Sequence, residues 1–197
     1  MPKVISGYKE MAKEKIIDSA SKLFFQMGYN NAGMDDIAKN IGVTKGTLYL
    51  YFKNKEELLN KTCETNMDLL EKNLKNSISK DIIKSIENFF EEEMKLPDYI
   101  KFYWIFALNE INIDNNIKKI IEDSYNKYVK YISDLIEDLK KDKSISKNVN
   151  STELARILIA FHNGVLVSIM QGLDIITAIS TFKSGIRSLI GNFNYLK

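Results

Sequence analysis

Apolar residues recur three and four positions apart along most of the chain, the period of an α-helix. Ile16, Ala20, Leu23, Phe24 and Met27 mark one face of a first helix from about Lys9 to Met27, and Gly28 is its natural stop. Ile37, Ala38 and Ile41 share a face of a second, with Asp35 and Asp36 in its opening turn, where carboxylates are favoured. Gly42 then suits a positive φ, and Val43 is expected to return to the core. Thr44 is a good N-cap for a third helix, Lys45 to Phe52, whose Leu48 and Phe52 continue the same apolar face. A fourth helix opens at Asn54, with Glu57 completing a capping box, and runs to about Lys75. Leu59, Cys63, Met67, Leu70 and Leu74 stay in register along it, so Cys63 reads as a buried structural thiol.

Five more helices follow Ser79. Asp81 to Lys95 carries Ile82, Ile86, Phe89, Phe90 and Met94. Pro97 can open the next, which runs to about Ile111 with Tyr99, Phe102, Tyr103 and Phe106 on one side. The longest, Asp114 to Lys141, spaces Ile121, Tyr125, Tyr128, Ile132, Leu135 and Leu139 alternately four and three apart. Lys140 to Asn150 is polar and reads as a loop. Two helices close the chain, Ser151 to Leu173 and Asp174 to about Phe193.

The run from Ile157 to Leu173 carries no fixed charge. It falls short of the roughly 20 residues a membrane span needs, so a helix buried on all sides is expected and no membrane partner. Ala160, Gly164, Ser168 and Gly172 form a ridge of small residues at every fourth position. Ala178 and Gly185 mark a similar line in the last helix, beside Phe182 and Leu189. Two such helices predict a four-helix pairing across a two-fold axis, that is, a homodimer, although packing within one chain accounts for part of the pattern.

The second and third helices have the layout of a helix-turn-helix, with the third as the reader of a DNA major groove. At about 100° per residue, Gly46 and Leu50 point away from the core, flanked by Thr47 on one side and by Lys45 and Tyr49 on the other. A central glycine on an exposed helix face costs roughly 1 kcal/mol, and close approach of a partner justifies it. Lys45 and Thr47 are therefore expected at base edges, with Tyr49 and Tyr51 on phosphates.

Charge distribution agrees. The whole chain has a net charge of +2, but residues 1–55 hold nine lysines against five carboxylates, a net of +4. Arginine occurs only at Arg156 and Arg187, so the commonest bidentate contact to guanine is missing from this part.

Several stretches now carry a family likeness: Ile17-Asp-Ser-Ala, Leu23-Phe24, Gly28-Tyr29, Met34-x-Asp-Ile-Ala, Gly42-Val-Thr-Lys-Gly-Thr-Leu-Tyr-x-Tyr-Phe and Lys55-Glu-Glu-Leu. Together, over about residues 12–60, they resemble the DNA-binding domain of tetracycline-repressor-type (TetR-family) regulators. Ala32-Gly33 stands where that family usually has a Thr/Ser pair, which puts a hydroxyl cap and phosphate contact in doubt there. The resemblance implies an all-α protein of about nine helices: a DNA-binding head, residues 1–54, and a helical ligand-binding and dimerisation body, residues 55–197. It implies that Thr44, Lys45, Gly46, Thr47, Tyr49, Tyr51 and Lys55 form the DNA surface. The partners it implies are an operator duplex, a small-molecule effector and a second copy of the chain.

The body names no effector. Phe90, Phe102, Tyr103, Phe106, Tyr125, Tyr128 and Phe161 offer an aromatic lining with few charges, which suits an apolar or aromatic compound. They serve a solid core equally well. His162, the single histidine, is either a hydrogen-bonded core residue or the group that orients a ligand's polar end. With one His, one Cys, no metal-spaced cluster and no glycine-rich phosphate loop, neither enzyme chemistry nor a cofactor or metal is expected. One cysteine and no visible secretory segment suit a reducing, cytoplasmic setting. A ligand-responsive repressor is the leading expectation. The alternative is a helical carrier protein with only nonspecific DNA association.

Overall fold

The computed structural model describes residues 6–79, 81–101, 115–141 and 145–194. Among them are nine helices: α1 (Ser6–Met27), α2 (Met34–Ile41), α3 (Lys45–Tyr49), α4 (Lys55–Ser77), α5 (Ile82–Glu93), α6 (Asp98–Lys101), α7 (Asn115–Lys141), α8 (Ser151–Met170) and α9 (Ile175–Asn194). The all-α expectation holds. Phe102, Tyr103 and Phe106 lie outside the described residues.

Two compact units divide the chain, and two of the three cuts fall inside helices, α4 and α7. One comprises residues 1–68 and 98–122, the other residues 69–97 and 123–197. The head therefore packs more than its first three helices. Ile16, Ala20, Phe24, Ile37, Leu48 and Phe52 share one core with Leu58 and Cys63 of α4 and with Ile117 and Ile121 of α7. Met27 is exposed despite its place in the apolar stripe. Gly28 takes φ 79° and ends α1, and Tyr29 folds back to 5.3 Å from the Phe24 ring instead. On α6, the Tyr99 hydroxyl donates to Asp18 of α1 at 2.7 Å, and Lys22 donates to the same carboxylate.

In the second unit, α9 packs against α5 and α8. Phe90 stacks on Phe182 with centroids 4.0 Å apart, and Phe161 also stacks on Phe182, at 5.5 Å. Arg187 of α9 grips Glu87 of α5 with Nε and an Nη at 2.8 and 3.2 Å. A separate cluster joins Val129 and Ile136 of α7 to Leu154, Ala155 and Ile159 of α8.

Two expectations need correction. The buried line of α7 passes through Ser124 and not Tyr125, which is exposed. The later members of the stripe, Tyr128, Ile132, Leu135 and Leu139, still face inward, so the departure is confined to this one turn. Nor is α8 buried all round. Leu154, Ala155, Ile159, His162, Val165 and Leu166 face inward, while Ile157, Ala160, Gly164 and Met170 are exposed. Among the described residues, α8 is the one helix long and apolar enough to cross a membrane by length and composition.

Candidate DNA-binding surface and body cavity

The turn between α2 and α3 is built by its own chemistry. Gly42 adopts φ 74°, so its N–H reaches the Lys39 carbonyl and the Val43 N–H reaches that of Ala38. Val43 then stays at the surface and does not return to the core as expected. The Thr44 hydroxyl accepts the Thr47 N–H at 3.2 Å, capping α3, and also lies 2.9 Å from the Thr47 hydroxyl. Helix α3 ends at Tyr49, three residues sooner than expected.

At the start of α2, Gly33 offers no side-chain cap. The Asp36 carboxylate accepts the Gly33 N–H at 2.9 Å, so half of a capping box survives without the family's usual hydroxyl. The box at α4 is shifted: Asn54 accepts from Glu57 N–H at 2.7 Å, but Glu57 returns the bond to Lys53 N–H.

This framework sets the exposed face of α3. Leu48 is fully buried, whereas Leu50 is 78% and Tyr49 45% exposed. Lys45 and Gly46 are exposed and Thr47 is half-buried. A Cβ on Gly46 would meet only the Thr44 hydroxyl, 3.8 Å away, so nothing within the protein requires the glycine. Lys45 donates to Asp35 at 2.7 Å, and that hydrogen bond and charge raise its pKa. Lys55 lies 4.2 Å from the Tyr29 ring centre and donates to the Asn30 carbonyl. Tyr51 is half-buried against the head core and lines a groove with Tyr8, Met11, Lys15, Val43 and Thr47. Thr44 to Tyr51 thus form one continuous segment, Lys55 rests on Tyr29 at the start of α4, and Tyr51 is less open than Tyr49. Asp35, the partner of Lys45, and the exposed Leu50 were not among them.

The body holds an apolar cavity of about 80 Å³. Ile82, Ile86 and Phe89 of α5, Tyr128, Ile132 and Leu135 of α7, Leu158 and His162 of α8, and Phe182 and Ile186 of α9 supply most of its wall. Of the expected ligand residues, Tyr128 and His162 line it. Phe90 and Phe161 are stacked against Phe182 beside it, and Tyr125 faces outward.

His162 is not a free handle. Its Nε2 lies 2.5 Å from a carboxylate oxygen of Glu93, which is 1% exposed. Burial lowers the imidazole pKa, but the charge and hydrogen bond of Glu93 outweigh it and set it above the usual 6.5. Burial first, and then the Glu93 charge, push the Tyr128 hydroxyl up. Glu93 escaped the sequence reading, although its place three and four residues after Phe90 and Phe89 aims it at the same face.

The expected dimer residues divide. Ala160 and Gly164 are exposed, and a Cβ on Gly164 would meet nothing within 4 Å. Ser168 and Leu189 are half-buried. Ala178 and Phe182 are buried within the chain, and a Cβ on Gly185 would come 2.1 Å from Phe161. Gly172 is no ridge residue: α8 has ended, and it sits in the turn with φ 107°.

Comparison with known proteins places these features. Residues 16–62 match the family model described as bacterial regulatory proteins, tetR family. The biofilm operon icaADBC negative transcriptional regulator IcaR of Staphylococcus epidermidis is 44% identical over 52 residues, which is 26% of this chain and 28% of that protein. The HTH-type transcriptional regulator YvdT of Bacillus subtilis is 25% identical over 161 residues, 81% of this chain and 80% of its own. A TetR-family regulator structure from Cytophaga hutchinsonii superposes with a TM-score of 0.77 at 16% identity, covering 96% of this chain and 98% of that one. Residues 16–62, then, match the tetR family of bacterial regulatory proteins, and the chain as a whole shares the fold of a solved regulator of that family.

Proposed function

We propose that the protein is a homodimeric transcriptional repressor that binds a palindromic operator and is released by a small apolar or aromatic effector. The observation that carries the DNA-binding part is the α3 face: capped by Thr44, rooted by the buried Leu48, and open at Lys45, Gly46, Tyr49 and Leu50. Thr47 borders this face, and Lys55 at the start of α4 is a candidate phosphate contact. Repression is supported by the likeness of the head to IcaR, a negative regulator.

The dimer is supported by an uncovered apolar and small-residue face on α8 and the start of α9. Ile157, Ala160 and Gly164 share one side of α8, and Met170, Ile175 and Ile176 are exposed at its end and beyond, Ile176 at 82%. Isolated monomers rarely leave such patches open. Two heads would then occupy half-sites about 34–36 Å apart.

The effector is supported by the cavity. By the scale of about 10–15 Å³ per enclosed water, it has room for on the order of five water-sized groups before any widening. Its apolar wall favours an apolar guest, with Tyr128 and His162 beside one polar end. Such a compound lowers DNA affinity only by its differential affinity for the two states of the protein.

Electrophoretic shift and footprinting on DNA upstream of the protein's own gene test this reading. A two-fold symmetric footprint, lost on adding effector, is expected. Binding without sequence preference, even at low salt, would instead favour the carrier protein.

A further inference from the structure

We propose that α3 selects operator sequence by apolar contact, with Leu50 and the methyl group of Thr47 seated on the 5-methyl groups of thymines. This rests on the head binding duplex DNA as proposed above. Among the described residues of the head, Leu50 is the most exposed large hydrophobic one, at 78%, and its backbone is fixed by its N–H bond to the Thr47 carbonyl. One turn earlier stands Gly46, with no side chain, so Leu50 projects without a neighbour to shield it.

Three of the polar side chains around it are already engaged within the head. Thr44 and Thr47 bond each other at 2.9 Å, and Lys45 is paired with Asp35 at 2.7 Å. No arginine is present in the head. A leucine laid over a G·C edge would strip water from its donors and acceptors and return nothing. In the major groove the one apolar feature is the thymine methyl. The net charge of +4 over residues 1–55 supplies attraction to any duplex, which leaves Leu50 free to discriminate.

The full-length chain should first be used to select duplexes from a random-sequence pool. Each thymine of the selected half-site is then replaced singly by deoxyuridine, which removes the methyl and keeps the base pair. Selected half-sites should be A·T-rich at their core. At one or two positions deoxyuridine should weaken binding about fourfold, the change that follows from burying one methyl-sized group. Leu50→Ala should melt like wild type, bind the thymine duplex more weakly and no longer tell thymine from deoxyuridine there. Leu50→Met should keep the discrimination.

Selective binding that tolerates deoxyuridine everywhere would overturn the proposal and leave the DNA-binding reading standing. Discrimination that persists in Leu50→Ala, or a Leu50→Ala defect confined to self-association, would equally overturn it. If the pool yields no preferred sequence at all, the underlying reading fails as well.

Discussion

Lys45 and Asp35 meet across the turn between α2 and α3, with Nζ 2.7 Å from Oδ2. The pair joins the helix expected in the groove to the helix that supports it, and it is open to solvent on both sides. Such pairs add little to folding. Their effect is on what the lysine is free to do.

Asp35→Asn should therefore strengthen binding to duplexes of any sequence and steepen the salt dependence by about one counterion. Lys45→Ala and Thr47→Ala should each weaken binding to the selected operator by about tenfold or more, with melting temperature nearly unchanged. Fluorescence anisotropy across a salt series reads both effects. Wild-type affinity in both alanine variants would remove α3 from the groove.

The Glu93–His162 pair predicts a pH dependence of stability. The folded pKa of His162 lies above 6.5, so the folded state holds its proton more tightly than the unfolded chain. The stabilisation is complete below about 6.5 and drains away as pH rises through the folded value. Urea midpoints should fall as pH rises from about 6.5 through that folded value. Glu93→Gln should flatten that fall and cost about 3 kcal/mol at the acid end, because it leaves the buried imidazole without its counter-charge. A wild-type profile that rises with pH would contradict the pairing.

Two glycines separate assembly from folding. Gly164→Leu projects into open space in the single chain and should leave unfolding nearly unchanged while shifting sedimentation toward monomer. Gly185→Ala places a methyl against Phe161 and should lower chain stability by about 1–3 kcal/mol through overpacking. An intact Gly164→Leu dimer that still binds operator would move the interface elsewhere.

Filling the cavity should uncouple the protein from its effector. Leu158→Phe adds bulk to the wall, so it should keep operator binding while losing release by any compound that raises the wild-type melting temperature. In wild type, stabilisation and release should follow the same concentration range, since both report one linkage. A variant still released at wild-type concentrations would place the effector outside this cavity.

The head was more legible than the body, and for physical reasons. Short-range chemistry builds the turn: Gly42 takes the positive φ, Thr44 caps, and Leu48 is buried where the period puts it. All of that lies within a dozen residues. The pairings missed were those across longer reach. Nothing local marks Glu93 as the partner of a histidine 69 positions on, or Tyr99 as the partner of Asp18. The helix period also misled where it was extrapolated. It held over most turns of α1 and α7 but failed at Met27 and Tyr125, which are exposed, while Ser124 is buried. Small residues on α8 and α9 looked alike in sequence, yet Gly164 faces open space and Gly185 faces Phe161. A count of small side chains cannot tell a face awaiting a partner from one already packed.

The seat of Lys55 has a thermodynamic consequence. A lysine that reaches a phosphate from free solution gives up roughly 1.5–2 kcal/mol of rotamer freedom. Lys55 rests on the Tyr29 ring and bonds the Asn30 carbonyl, so much of that freedom was surrendered when the head folded. The contact proposed for it on DNA then carries a smaller entropic penalty. Tyr29→Ala should return that penalty to the binding step, making association entropically less favourable and weaker.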